Sequence, residues 1–224
     1  MATYGEVFTR KAFLPVIHVQ EEYLARRSVN IARENGADGV FLINHSISSD
    51  KLHGIYGLVR QDHPDWWIGM NCLDMSAEVS LATAPEDLSA VWSDGITTPS
   101  WYRELRYAQK GWTGLYFGGV AFKYRPSVKE QCLALVALSA TECTDVITTS
   151  GEETGLPPSV KKIRIMRDAI GDFPLAIASG ISAENVGQFI PYVDTFLVAS
   201  SIAESFYVPD AKKTRELADL IHAN

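Results

Sequence analysis

Eight short apolar runs recur along the chain, separated by helix-length stretches, and this alternation limits the possible folds more than any other feature. The runs lie at 14–18, 39–43, 66–70, 90–92, 115–117 with a glycine-rich extension to 122, 145–148, 174–178 and 195–198. They read as continuous apolar segments rather than polar–apolar alternations, as strands do when both sheet faces are covered. Helical stretches are predicted at 21–35, about 49–61, 76–84, after Thr98-Pro99, after Ser127, at 160–170, 183–189 and about 210–222.

Local signals mark several of these. Leu24, Ser28, Ile31 and Ala32 share one stripe of the first helix, and Gly36 supplies a left-handed stop. Thr98-Pro99 places a capping residue before proline at the first helical position. Ser127 and Glu130 have capping-box spacing, ahead of a stripe of Val128, Cys132, Leu135 and Val136. Eight strand–helix units in 224 residues predict an α/β fold, a closed (β/α)8 barrel of the TIM-barrel type, as one domain over 1–224. An open doubly wound sheet is the weaker alternative.

Charge and composition narrow the partners. With 20 Lys+Arg against 27 Asp+Glu the net charge is -7, which argues against nucleic-acid binding, and the basic pairs are scattered. The longest apolar run, 133–138, is too short to span a bilayer, and residues 1–13 lack the apolar stretch of a secretory signal. Cys72, Cys132 and Cys143 form no CxxC pair, which fits reduced thiols in the cytoplasm and no cysteine-built zinc site. Neither a metal nor a cofactor is expected.

In such a barrel the ligand site lies at the carboxyl ends of the strands. Those ends carry His18, Asn44-His45, Asn71 with Asp74, Asp94, Lys123, Thr149-Ser150-Gly151, Ser179-Gly180 and Ala199-Ser200-Ser201. The last two strand ends give the sharpest signal. Glycine and small side chains let backbone amides approach an anion, and these two loops are the recurrent phosphate site of the architecture. Ser182 is predicted to cap a short helix at 183–189, and Ser200-Ser201 to open a further turn. Two ordinary turns rich in small residues are the plain alternative. Gly180 is the position where a bulky residue should remove the ligand and spare the barrel. Ser150, Gly151, Thr154 and Gly155 form a second glycine-bracketed loop that could hold a ligand, with Glu152 or Glu153 as a base; a solvated surface turn fits it equally.

Four segments resemble the BtpA family, a (β/α)8 group named for photosystem I accumulation. They are Gly69-Met70-Asn71-Cys72-Leu73, Val120-Ala121-Phe122-Lys123-Tyr124, Ser150-Gly151 with Thr154-Gly155, and Ser179-Gly180-Ile181 with Glu184-Asn185-Val186. Tyr124 stands where the family tends to have histidine, and Asp74 where it has arginine. The resemblance implies the barrel fold and either a small-molecule activity or a non-catalytic biogenesis role.

The residues themselves support an enzyme of isomerase or lyase type acting on a phosphorylated, sugar-like metabolite. His18, Asn71, Asp74, Asp94 and Lys123 are its candidate catalytic residues. Asp74 could instead cap the helix near Ser76, and Asp94 could be a turn residue. A lysine at 123 walled by Phe122 and Tyr124 would also permit a Schiff base. A metal hydrolase using His18, His45, Asp74 and Asp94 lacks the HxH or HExxH spacing. Trp101 and Tyr102 are the candidates for a contact between copies in a homo-oligomer, while Trp66, Trp67 and Trp112 are expected between helices and barrel.

Overall fold

A computed structural model describes residues 3–108 and 112–223, so Met1, Ala2, 109–111 and Asn224 lie outside the described residues. Eight parallel strands close into a barrel in sequence order. They are β1 (Ala12–Val19), β2 (Gly39–Asn44), β3 (Trp67–Asn71), β4 (Ala90–Ser93), β5 (Leu115–Gly119), β6 (Val146–Thr149), β7 (Leu175–Ile177) and β8 (Thr195–Val198). Closure is made by β1 against β8, with Ala12 opposite Thr195 and Pro15 opposite Val198.

Continuous apolar strands serve two cores at once. Side chains alternate across a strand, so Leu14 and Val16 point into the barrel while Phe13 and Ile17 meet the helices. The interior is filled unevenly. Phe41, Trp67, Trp92 and Phe117 pack edge to face, with Phe41 and Phe117 centred 5.1 Å apart. Gly69 makes room for them, since a Cβ there would stand 2.3 Å from the Phe41 ring. Opposite, β7 and β8 supply Ala176, Ala178 and Leu197. Trp67 thus lies inside the barrel rather than beneath the helices.

The base is closed by α1 (Tyr4–Val7), which the sequence pattern did not disclose. Tyr4 Oη donates to the Asp194 carbonyl at 2.9 Å, and the Phe8 ring lies 5.3 Å from Trp67.

The helices are α2 (Glu22–Glu34), α3 (Ser49–Asp62), α4 (Ala77–Ala82), α5 (Pro99–Ala108), α6 (Leu133–Ala140), α7 (Val160–Ile170) and α8 (Ala211–His222). Three expectations need correction. The buried stripe of α2 is Ala25, Ser28, Val29 and Ala32, one step round from the predicted face. Ser127 and Glu130 form no capping box: a 3-10 turn, Glu130–Cys132, precedes α6, which buries Leu133, Ala137 and Ala140 and leaves Leu135 exposed. Between β7 and β8 there is no α-helix at 183–189, only a 3-10 turn at Val186–Gln188. After β8 a 3-10 turn, Ser200–Ile202, leads into a small antiparallel hairpin, β9 (Ala203–Ser205) and β10 (Val208–Pro209). The hairpin was not expected.

Among the described residues no helix is long and apolar enough to cross a membrane. Trp101 is half exposed on α5, whereas Tyr102 Oη is turned inward to Asp145 Oδ1 at 2.7 Å.

Candidate functional site

The carboxyl ends of the strands surround a chamber of about 750 Å3. Its two sides are built differently. One consists of backbone and small side chains from the ends of β7 and β8; the other carries ionisable side chains from β1, β2, β4 and β5.

On the first side, the turns Ala178–Ser182 and Val198–Ser201 both line the chamber. Gly180 adopts φ +66°, and a Cβ there would lie 2.0 Å from the Pro157 nitrogen, so the backbone of the 150–157 loop packs directly on it. Asn185 holds this turn: its Nδ2 donates to the Gly180 carbonyl at 2.7 Å and its Oδ1 accepts from Ser182 N at 2.9 Å. Ser182 therefore caps no helix, and its hydroxyl bonds Glu184 instead. Ser201 Oγ donates to the Ile181 carbonyl at 2.6 Å and ties the two turns together. Among the described residues, the amides of Gly180, Ile181, Ser200 and Ser201 have no protein acceptor.

The neighbouring serines are committed elsewhere. Ser179 Oγ accepts from Gly151 N at 2.8 Å and donates to the Leu156 carbonyl at 2.8 Å. Ser150 Oγ accepts from Lys123 N at 2.7 Å and donates to the Gly151 carbonyl at 2.9 Å. These hydroxyls and the Gly151 amide hold loops in place. Thr154 and Gly155 do line the chamber, while Ser150, Gly151 and Glu152 line a separate outer groove.

On the second side stand His18, His45, Asp94 and Lys123. The His18 and His45 rings are centred 4.6 Å apart, and Phe206, from the tip of the β9–β10 hairpin, stacks on His18 at 4.3 Å. Burial, followed by His45 and Lys123, pulls the His18 pKa down to about 4, so the imidazole is neutral at pH 7. Its Nδ1 is buried with no partner among the described residues. The indole Nε1 of Trp92, also buried on the chamber wall, has none either.

Asp94 and Lys123 are shifted towards each other. Burial raises the Asp94 carboxyl above its ordinary range, against the opposing hydrogen bond from Asn71 Nδ2 at 3.1 Å and the charge of Lys123. Burial also lowers the Lys123 amine, against the opposing charge of Asp94. The Lys123 Nζ donates to Thr154 Oγ1 at 3.3 Å and lies 6.0 Å from the Phe122 ring. Phe122 lies beside the amine, while Tyr124, which lines the chamber, is largely exposed and pairs with Thr154. Ala121 and Tyr124 hold φ values of +48° and +59° around this lysine. From outside the chamber, Lys162 Nζ donates to the carbonyls of Ala121 at 2.6 Å and Ser150 at 2.7 Å, fixing the bend.

Asn71 and Asp74 do not line the chamber. Asn71 reaches it through Asp94. Asp74 accepts from Asn44 Nδ2 at 2.7 Å, from Ser49 N at 3.2 Å and from the Ser49 hydroxyl, joining the ends of β2 and β3 to the start of α3. It caps a helix, but α3 rather than the one after it. Among the described residues no three His, Cys, Asp or Glu side chains are grouped to hold a metal. Trp92 and Phe206 were not singled out by sequence; Trp92 sits inside an apolar run, and Phe206 in a segment without periodicity.

No family model and no curated protein matches the sequence. Solved structures match in fold. (S)-3-O-Geranylgeranylglyceryl phosphate synthase from Thermoplasma acidophilum, in complex with sn-glycerol-1-phosphate, superposes with a TM-score of 0.73 at 11% identity, covering 100% of both chains. 3-Hexulose-6-phosphate synthase gives 0.69 at 13% identity, covering 94% of this chain and 99% of its own. Phosphoribosyl anthranilate isomerase from Thermus thermophilus gives 0.61 at 14% identity, covering 92% and 96%. The chain is thus similar in fold to (β/α)8 barrel enzymes whose names carry phosphorylated compounds.

Proposed function

We propose that this barrel binds a phosphorylated small molecule at the ends of β7 and β8 and transfers protons on its carbon skeleton, as an isomerase or lyase does. The observation that carries the reading is the set of four unpaired amides, Gly180, Ile181, Ser200 and Ser201, on the wall of the chamber that also holds Asp94 and Lys123. Unpaired backbone amides offer an anion hydrogen bonds already in place. The phosphorylated compounds named for the three similar barrels support the same ligand class.

The phosphate would lie across the two turns, with the skeleton extending towards β4 and β5. Asp94, raised by burial, is the group to remove and return a carbon-bound proton, and Asn71 orients it. Lys123 would meet the oxygen on which negative charge develops. His18, with its pKa about 4, is a weak base and serves better as a neutral hydrogen-bonding wall. The Schiff-base version is weakened because Tyr124, although on the chamber wall, is largely exposed to water.

The resemblance to BtpA adds weight where its segments supply chamber residues, Lys123 and Ser179-Gly180-Ile181. The biogenesis-type alternative keeps the same pocket as a sensor; the presence of both His18 and Lys123 on the chamber wall favours the enzyme, although Asn71 and Ser150 lie off it.

Thermal unfolding with inorganic phosphate and simple phosphate esters tests the binding step. A ligand at a hundredfold its Kd should add about 2.7 kcal/mol, and no stabilisation by any of them sinks the reading. Deuterium uptake from D2O into bound aldose or ketose phosphates tests the chemistry: it should appear in the native protein and vanish in Asp94→Asn while binding persists.

A further inference from the structure

We propose that the phosphorylated ligand carries an apolar group about the size of one aromatic ring, and that this group occupies a second cavity beneath the β9–β10 hairpin. The inference rests on the phosphate reading above and adds to it the chemistry of the ligand's other end. The second cavity has a volume of about 230 Å3 and is walled mostly by carbon, from Ile17, Ile202, Ala203, Val208 and Pro209. It adjoins the main chamber along Val16, His18, Ala199, Ser200 and Phe206, which line both spaces. A ligand anchored on the Ser200 amide therefore stands beside the opening.

The boundary suits an apolar group. The stacked rings of Phe206 and His18 form its rim, and His18 is uncharged at neutral pH. A closed apolar cavity of about 150 Å3 binds benzene, and this half-open space of about 230 Å3 has room for one such ring. A sugar placed there would lose hydration without gaining partners, because its hydroxyls would face hydrocarbon. The polar part of the ligand belongs in the main chamber, with Asp94 and Lys123.

Calorimetry with inorganic phosphate, then methyl, butyl, hexyl and benzyl phosphate, provides the test. Each methylene moved out of water should tighten binding about fourfold, so butyl phosphate should bind at least tenfold tighter than methyl phosphate. Ala203→Phe, which fills the cavity, should erase that gain and leave methyl phosphate unchanged. Ser205→Phe, at an exposed position that lines this cavity and not the main chamber, should likewise reduce the gain without altering methyl phosphate binding, so the proposal survives a misfolded Ala203→Phe. Phosphate and methyl phosphate binding with no gain along the series would overturn this inference alone. A gain that both variants retain would also overturn it, because the chain would then lie elsewhere. Failure of every phosphate to bind would overturn the phosphate reading and this inference together.

Discussion

The two sides of the chamber solve recognition in opposite ways. The β7–β8 side offers amides and small residues whose donors carry fixed partial charge at every pH. The β1–β5 side offers His18, Asp94 and Lys123, whose charges depend on how deeply the fold buries them. The difference teaches where each side is vulnerable. The backbone side fails by steric intrusion, the side-chain side by a change of environment.

The harshest break of that contrast is Gly180→Val. It forces a branched side chain into φ +66° and against the Pro157 backbone, which should cost about 3 kcal/mol in urea denaturation as well as abolishing phosphate binding. Gly180 is thus a fold position too, and the expectation that a bulky residue there spares the barrel is revised. Next in size is Asp74→Ala, which strips Asn44 and Ser49 of their acceptor and should cost about 2 kcal/mol while phosphate binding stays intact. Equal loss of binding would place Asp74 among the ligand groups after all.

Ser200→Leu sharpens the comparison. Its side chain is exposed, so stability should move by no more than about 0.5 kcal/mol, yet phosphate affinity should fall at least tenfold as the amides are covered. The smallest effect is electrostatic. Ring NMR should find His18 neutral down to about pH 4, and Lys123→Met should move its midpoint up. The linkage sign follows: a histidine depressed on folding binds its proton more readily when unfolded, so stability falls as pH drops from about 6.5 to about 4. A His18 midpoint near 6.5 would mean that the chamber is wet and the contrast between the sides is lost.

The barrel was legible because a strand covered on both faces must be apolar throughout, and eight such runs admit few closures. Helix faces were harder. Leu135 and Leu138 are apolar but exposed, so the α6 pattern pointed the wrong way. At the chamber, composition pointed to the turns at Gly180 and Ser200, but not to which of their donors are free. Ser150 and Ser179 look like ligand groups in a sequence and prove to be loop ties, because hydrogen-bond satisfaction depends on partners 27 and 28 positions away. The hairpin that carries Phe206 has strands of three and two residues, too short for any periodicity.

Lys162 reaches the loop of Lys123 from the far side of the barrel wall, and burial lowers its own pKa to about 8. The inner amine is therefore aimed by a cation that stands outside the chamber. Acylating that outer amine would leave the contours of the chamber as they are and unfasten the backbone that carries Lys123.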